Sequence, residues 1–246
     1  MLLLIAGMVS LLSAPLWAAS NTTIEQLLAS PQRLQADRER DQRSHPDVIL
    51  AMLDLKPGDR VADIFAGGGY YSELLGRVVE PGGEVLMHNN DAYISFVGKA
   101  LDERFTNRGL PGVVRHDREV ADLDLGKNRL DAVIIIMSYH DLYHTAEGWP
   151  AIDVDDFMGQ IARALKPGGR FLLVDHAAAE GTGKESAQQL HRIEESFVRR
   201  DVARFGLEFV AANEALRNPA DDHSVTAFAP EVRGKTDRFV LLFRKP

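Results

Sequence analysis

The stretch that most constrains this chain runs from Arg60 to Ser72 and reads RVADIFAGGGYYS. Val61 to Ile64 form a short, mostly apolar run bounded by glycines, the pattern of a strand buried in the middle of a sheet. Gly67, Gly68 and Gly69 follow, and residues without a Cβ let a backbone turn sharply and come close to a ligand. From Tyr70 onward, Tyr71, Leu74, Leu75 and Val78 recur at helical spacing, which predicts a helix whose first N–H groups point back at the turn. Strand, glycine turn and helix in that order predict the opening of a doubly wound α/β domain with a nucleotide-type ligand at the turn.

The pattern downstream predicts the same class. Strands are expected over 83–89, 113–117, 131–137 and 170–174, with 207–211 and 238–243 as an antiparallel pair at one sheet edge. Helices are expected over 92–105, over 153–165 and, as one element, over 185–205. Pro46 suits a first helical position, Asn21-Thr22-Thr23 suits a cap, and Lys166-Pro167-Gly168-Gly169 suits a helix stop and turn. The charged residues 31–44 read as a solvated helix or lead-in, and Tyr70 and Tyr71 as packing or lid residues. Together these predict a seven-stranded, mostly parallel sheet with helices on both faces and right-handed crossovers. Ligands sit beyond the carboxyl ends of such strands. That rule gathers Gly67–Gly69, Asn89–Asp91, Asp117, His140–His144 and Asp175–His176 on one rim.

The rim is rich in imidazole and carboxylate. His140, Asp141, Asp175 and His176 are the catalytic candidates, because free histidine titrates near neutral pH and suits a general base or an acceptor-binding surface. His140 and His144 stand four apart, a spacing that on a helix also suits a divalent metal, but no metal ligand set is assigned. His191 and Asp222-His223 could fold over the same rim.

Composition narrows the rest. A chain of 246 residues with 45% hydrophobic content fits one domain, expected over 21–246. A formal net charge of −8 argues against a nucleic-acid partner, and the absence of cysteine excludes disulfides and thiolate chemistry. Leu2 to Leu16 is almost wholly apolar and leads into Trp17-Ala18-Ala19-Ser20, small residues suited to a cleavage site. Residues 1–20 therefore predict an export signal and a periplasmic location, with an inner-membrane tether through residues 1–19 as the alternative.

The series VADIFAGGGYYSELLGRVVEPGGEV, VRHD, LDAVIIIMSYHDLYH, ALKPGGRFLLVDH, FGLEFVAA and DRFVLLFRKP resembles, in order, the class I S-adenosylmethionine-dependent methyltransferase family. Within it, the later stretches DH, GTG, LHRIE, LRNPADDHS and RGKTDRFVL resemble an uncharacterised bacterial branch of predicted methyltransferases. The resemblance covers roughly residues 45–246 and implies a Rossmann-like methyltransferase fold, S-adenosyl-L-methionine as cofactor and a small-molecule acceptor. It also implies that Asp63, Ala66, Gly67, Gly69, Asn89, Asn90 and Asp117 bind the donor. In it Asp63 fixes the turn, Asn89 takes the ribose position and Asp117 meets the adenine amine. Phe65 stands where the family often has its first glycine, and Asn89 replaces an acidic residue. An exported protein of this fold that no longer transfers methyl groups, and binds a small ligand or divalent metal at the rim, is the competing expectation.

Overall fold

The computed structural model describes residues 24–106 and 108–246, so the expected leader over 1–20 and the cap at 21–23 lie outside it. The apolar run becomes β1 (Arg60–Ile64), buried from Val61 onward. It pairs in parallel with β2 (Glu84–Asn89) on one side and β4 (Leu130–Ile136) on the other. Beyond β2 lies β3 (Val113–Asp117), and beyond β4 lies β5 (Leu165–His176), both parallel. The antiparallel β7 (Arg238–Arg244) then joins β5, with β6 (Glu208–Asn213) outside it, completing the order β3-β2-β1-β4-β5-β7-β6. The expected seven-stranded sheet and its antiparallel C-terminal pair are both present.

Helices cover both faces, because the strands are apolar on both. Against one face, Ile49, Leu50 and Leu53 of α2 (Pro46–Leu53) and Leu74, Leu75 and Val79 of α3 (Tyr70–Val79) pack on Val61, Val85, Ile134 and Leu172. Against the other, Phe157, Met158 and Ile161 of α5 (Val154–Ala164) pack on Ile64, Val133, Ile135, Phe171 and Leu173. Further helical elements are α1 (Gln35–Ser44), α4 (Asp91–Phe105), a 3₁₀ turn (His140–Tyr143), α6 (Ser186–Leu190) and α7 (Glu195–Ala203). Among the described residues, no helix is long and apolar enough to cross a membrane.

Two local expectations are corrected and one is refined. The charged segment 31–44 holds the expected helix and is mostly exposed, but its inner edge is not: Arg33 and Asp37 are buried, Arg33 pairs with Asp41, and Tyr70 donates to Asp41 Oδ1 at 2.6 Å. Lys166–Gly169 does not separate helix from strand. Leu165 already pairs with Leu130, and the register with β4 shifts before pairing resumes at Arg170. The single helix over 185–205 is broken. His191 adopts a left-handed conformation (φ 51°), and Ile193 leaves the helix to bridge to the end of β5, its N–H donating to His176 O at 2.9 Å.

Candidate functional site

Chain direction in β1, β2, β3, β4 and β5 brings their C-terminal ends to one rim, where the predicted residues converge. At β1 the chain passes through three left-handed residues before α3: Phe65 (φ 54°), Gly67 (φ 59°) and Gly69 (φ 77°). A Cβ on Gly69 would come within 2.8 Å of Met87 Sδ, so a side chain there would displace Met87 as well as strain the left-handed backbone. A Cβ on Gly67 would meet only Val97 Cγ1, 4.0 Å away on α4. Phe65 holds an unfavourable backbone for a bulky residue because its ring is locked in place. It stacks on Tyr93 at 4.8 Å and on Phe157 at 5.6 Å.

The polar residues around the turn already have partners within the protein. Gly67 N–H donates to Asn89 Oδ1 at 2.9 Å, and Asn89 Nδ2 donates back to Gly67 O at 3.1 Å. Both halves of the amide expected at a ribose are thus spent on the turn. Ala66 N–H donates to His88 O, and Asn90 caps α4 by accepting from Tyr93 N–H at 3.0 Å. Asp63 accepts from Ser72 Oγ at 2.6 Å, and its burial pushes its carboxyl up to about 7 against that hydrogen bond. Asp117 sits opposite Asn89 in the β2–β3 register but pairs with Arg115 at 2.6 Å on the more exposed side. Arg104, like Tyr93, escaped sequence reasoning. Arg104, at the end of α4, is buried with Nε donating to Gly68 O and Nη1 donating to Asp37 at 2.7 Å and to Glu73 at 2.6 Å. An arginine in the last turn of a helix is the ordinary complement to the helix dipole, so its position alone carried no signal.

At the ends of β4 and β5 the imidazoles gather. His140 N–H donates to Asp175 Oδ2 at 2.8 Å, and its Nδ1 lies 2.7 Å from Asp175 Oδ1. Its Nε2 faces Asp141 Oδ1 at 3.2 Å, while Asp141 Oδ2 accepts from Tyr93 O–H at 2.7 Å. The broken helix delivers His191, whose ring lies 5.5 Å from that of His140 and 4.4 Å from that of His144. A 3₁₀ turn does not align His140 with His144, so His191 is what joins them. His223 stays apart and pairs with Asp237 at 3.0 Å.

Charge states follow from these contacts. Burial works against a charged His140, but Asp175 and Asp141 outweigh it and push it up to about 10. His140 therefore carries its proton at neutral pH, the opposite of what the expected general base requires. Burial drives His176 down to about 3, and its Nδ1 lies 2.7 Å from Thr236 Oγ1, so it stays neutral and is a weak proton acceptor. Asp141 is also buried, but the neighbouring His140 overcomes this and holds it well below the usual carboxylate range. Beside the 3₁₀ turn a cavity of about 430 Å³, a size suited to a small molecule, is lined by Leu142, Tyr143, Ile152 and Phe197 together with the charged Asp153, Asp155, Lys184 and Arg204.

Solved structures with the same arrangement are many, and all those compared are distant in sequence. A SAM-dependent methyltransferase from Aquifex aeolicus superposes with a TM-score of 0.60 at 20% identity, over 92% of this chain and 98% of that one. The fold is that of the class I methyltransferases. A geranyl diphosphate C-methyltransferase from Streptomyces coelicolor A3(2), solved with Mg2+, geranyl diphosphate and S-adenosyl-L-homocysteine, gives 0.55 at 15% identity over 90% and 87%. In sequence, the chain is 30% identical over 128 residues to the ubiquinone/menaquinone biosynthesis C-methyltransferase UbiE of Ectopseudomonas mendocina (strain ymp). It is 29% identical over 127 residues to that of Stutzerimonas stutzeri (strain A1501). These matches take in 51% of this chain and 45% of the relatives' length, so the chain spans about half the length of the curated relatives it matches. No family model matches the chain.

Proposed function

We propose that this protein is a methyltransferase that takes its methyl group from S-adenosyl-L-methionine and delivers it to a small-molecule acceptor at the His/Asp rim. The observation that carries the reading is the adjacency of the two cradles: Tyr93 stacks on Phe65 of the glycine turn and bonds Asp141 of the rim. The fold and the likeness to UbiE C-methyltransferases support it.

The donor supplies a methyl group already activated on a sulfonium, so the protein's part is to bind, align and exclude water. Gly67 leaves backbone bare, with Val97 of α4 walling the space beside it, whereas Gly69 lets the turn pack under Met87 and Arg104. Gly67, Gly69, Asn89 and Asn90 would hold the donor, with Asp63 fixing the start of α3 through Ser72 and Asp117 standing at the outer end. Asn89 would exchange its bond with Gly67 for the ligand, and α4 would shift to admit it. On the acceptor side, His140 is held between Asp175 and Asp141 and orders the rim rather than acting as a base, and the adjoining cavity offers apolar walls with Asp153, Asp155, Lys184 and Arg204 as polar handles.

A second reading, small-ligand binding without methyl transfer, is favoured by one observation. Asn89 and Arg104 close the turn upon itself. Calorimetry with S-adenosylmethionine and S-adenosylhomocysteine separates the two. Saturable binding of both is expected, and absence of heat from either leaves only the second reading.

Residues 1–20 carry the proposed export signal or tether. Sequencing the mature N-terminus from cell fractions is expected to find a chain beginning near residue 20 in the periplasm. An intact Met1 in the membrane fraction would instead support the tether, and an intact Met1 in the cytosol would dismiss both.

A further inference from the structure

We infer that His140, Asp141 and His191 form a binding site for a single zinc-class divalent ion. One atom from each (an imidazole nitrogen from both histidines and a carboxylate oxygen from Asp141) lies within 4.8 Å of the other two. His140 Nε2 is 3.2 Å from Asp141 Oδ1, and His191 Nδ1 is 3.9 Å from that same oxygen. Donors at zinc–ligand distances of about 2.1 Å in tetrahedral array are roughly 3.4 Å apart, so small side-chain shifts suffice to enclose an ion.

The groups behind the ligands are arranged as metal sites need. Asp175 takes His140 Nδ1, which directs Nε2 inward, and Asp175 is itself held by the N–H groups of His140 and His176 at 2.8 and 2.7 Å. Tyr93 O–H occupies Asp141 Oδ2 and leaves Oδ1 facing both imidazoles. His191 is placed by the break between α6 and α7. Arg192, next in sequence, is fully buried and anchored to Asp221 by paired bonds of 2.9 and 3.0 Å. The ring of Phe228 covers His191 at 4.7 Å.

Two nitrogens remain unaccounted for without an ion. His191 Nδ1 and His144 Nδ1 are both buried and have no hydrogen-bond partner among the described residues. An orphaned buried polar atom costs roughly 1–3 kcal/mol and calls for an explanation. A cation between His140 and Asp141 gives His191 Nδ1 its partner directly. His144 stands beside it, its ring 4.4 Å from that of His191, but outside the three-residue group. Two imidazoles and one carboxylate suit zinc, and disfavour magnesium, which prefers oxygen ligands and retained water. With three protein ligands, the ion would keep a position open toward a substrate oxygen or water. The inference does not depend on methyl transfer.

Equilibrium dialysis of the untagged full chain against zinc at neutral pH is expected to retain one ion per chain. His191→Asn keeps a residue tolerant of the left-handed backbone and should reduce retained zinc to background. Asp175→Asn should weaken binding roughly 10- to 100-fold. His45→Asn, at an exposed histidine outside the cluster, should change nothing. Zinc, but not magnesium, should raise the melting temperature of the wild-type protein, and cobalt should give the visible bands of a four-coordinate site. These last two readouts need no variant to fold. Equal stabilisation by magnesium, substoichiometric zinc, or retention unchanged in His191→Asn overturns the site.

Discussion

Asp63 shows how a single buried group can carry a testable charge. Among the described residues its only side-chain hydrogen-bond donor is Ser72, and burial pushes it from 3.8 up to about 7. An acid whose folded value is raised resists ionisation in the fold, so its contribution falls as pH climbs from about 4 to about 7 and is level beyond. That span corresponds to roughly 4 kcal/mol. Relative to wild type, Asp63→Asn should therefore gain stability across this window, read as the difference between urea-unfolding curves at each pH. Equal slopes for the two proteins would dismiss the assignment. Asn89 makes the opposite kind of case. Asn89→Ala strips both bonds from the Gly67 peptide and should cost about 1–3 kcal/mol in the same measurement. The sequence marked both positions as site residues. It could not show that their bonds run inward, because that depends on which buried groups lack water.

At the scale of elements, the broken helix is the main departure from what the sequence conveyed. Helical periodicity across 185–205 is sound in its parts. Nothing in it reveals that Ile193 bonds to the end of β5, or that Arg192 is drawn inward by Asp221, 29 residues away. Local pattern cannot register a partner so distant. That ion pair should dominate the region's stability, since removing one member leaves the other charged and buried. Arg192→Leu is expected to cost about 3–5 kcal/mol and to speed amide exchange through residues 214–237, monitored by mass spectrometry. If exchange there matches wild type, the pair is not what fastens the excursion. The strands, by contrast, were legible: β3 has the expected bounds, and β1, β2 and β4 lie within a residue of theirs. Their apolar runs are short and closed by glycine or charge, so pattern and structure coincide.

Across the whole molecule, alternating strands and helices were enough to forecast the sheet and the rim, because parallel crossovers leave few topologies. What they could not forecast was closure. α1 and α4 are charged or weakly amphipathic by pattern, yet Asp37 and Arg104 meet over the glycine turn. A bound donor should therefore register globally. At a hundredfold excess over Kd, S-adenosylhomocysteine is expected to add about 2.7 kcal/mol, raising Tm by roughly 5–10 °C. An unmoved Tm at saturation would contradict donor binding. Tyr93 gives this closure a further meaning. It leans its ring on Phe65 and lends its hydroxyl to Asp141 from a single first turn of α4, so the segment cannot lift away from one without deserting the other. Cation and nucleoside would thus negotiate through one phenol, and thermodynamic reciprocity requires each to rescale the other's affinity by an identical factor.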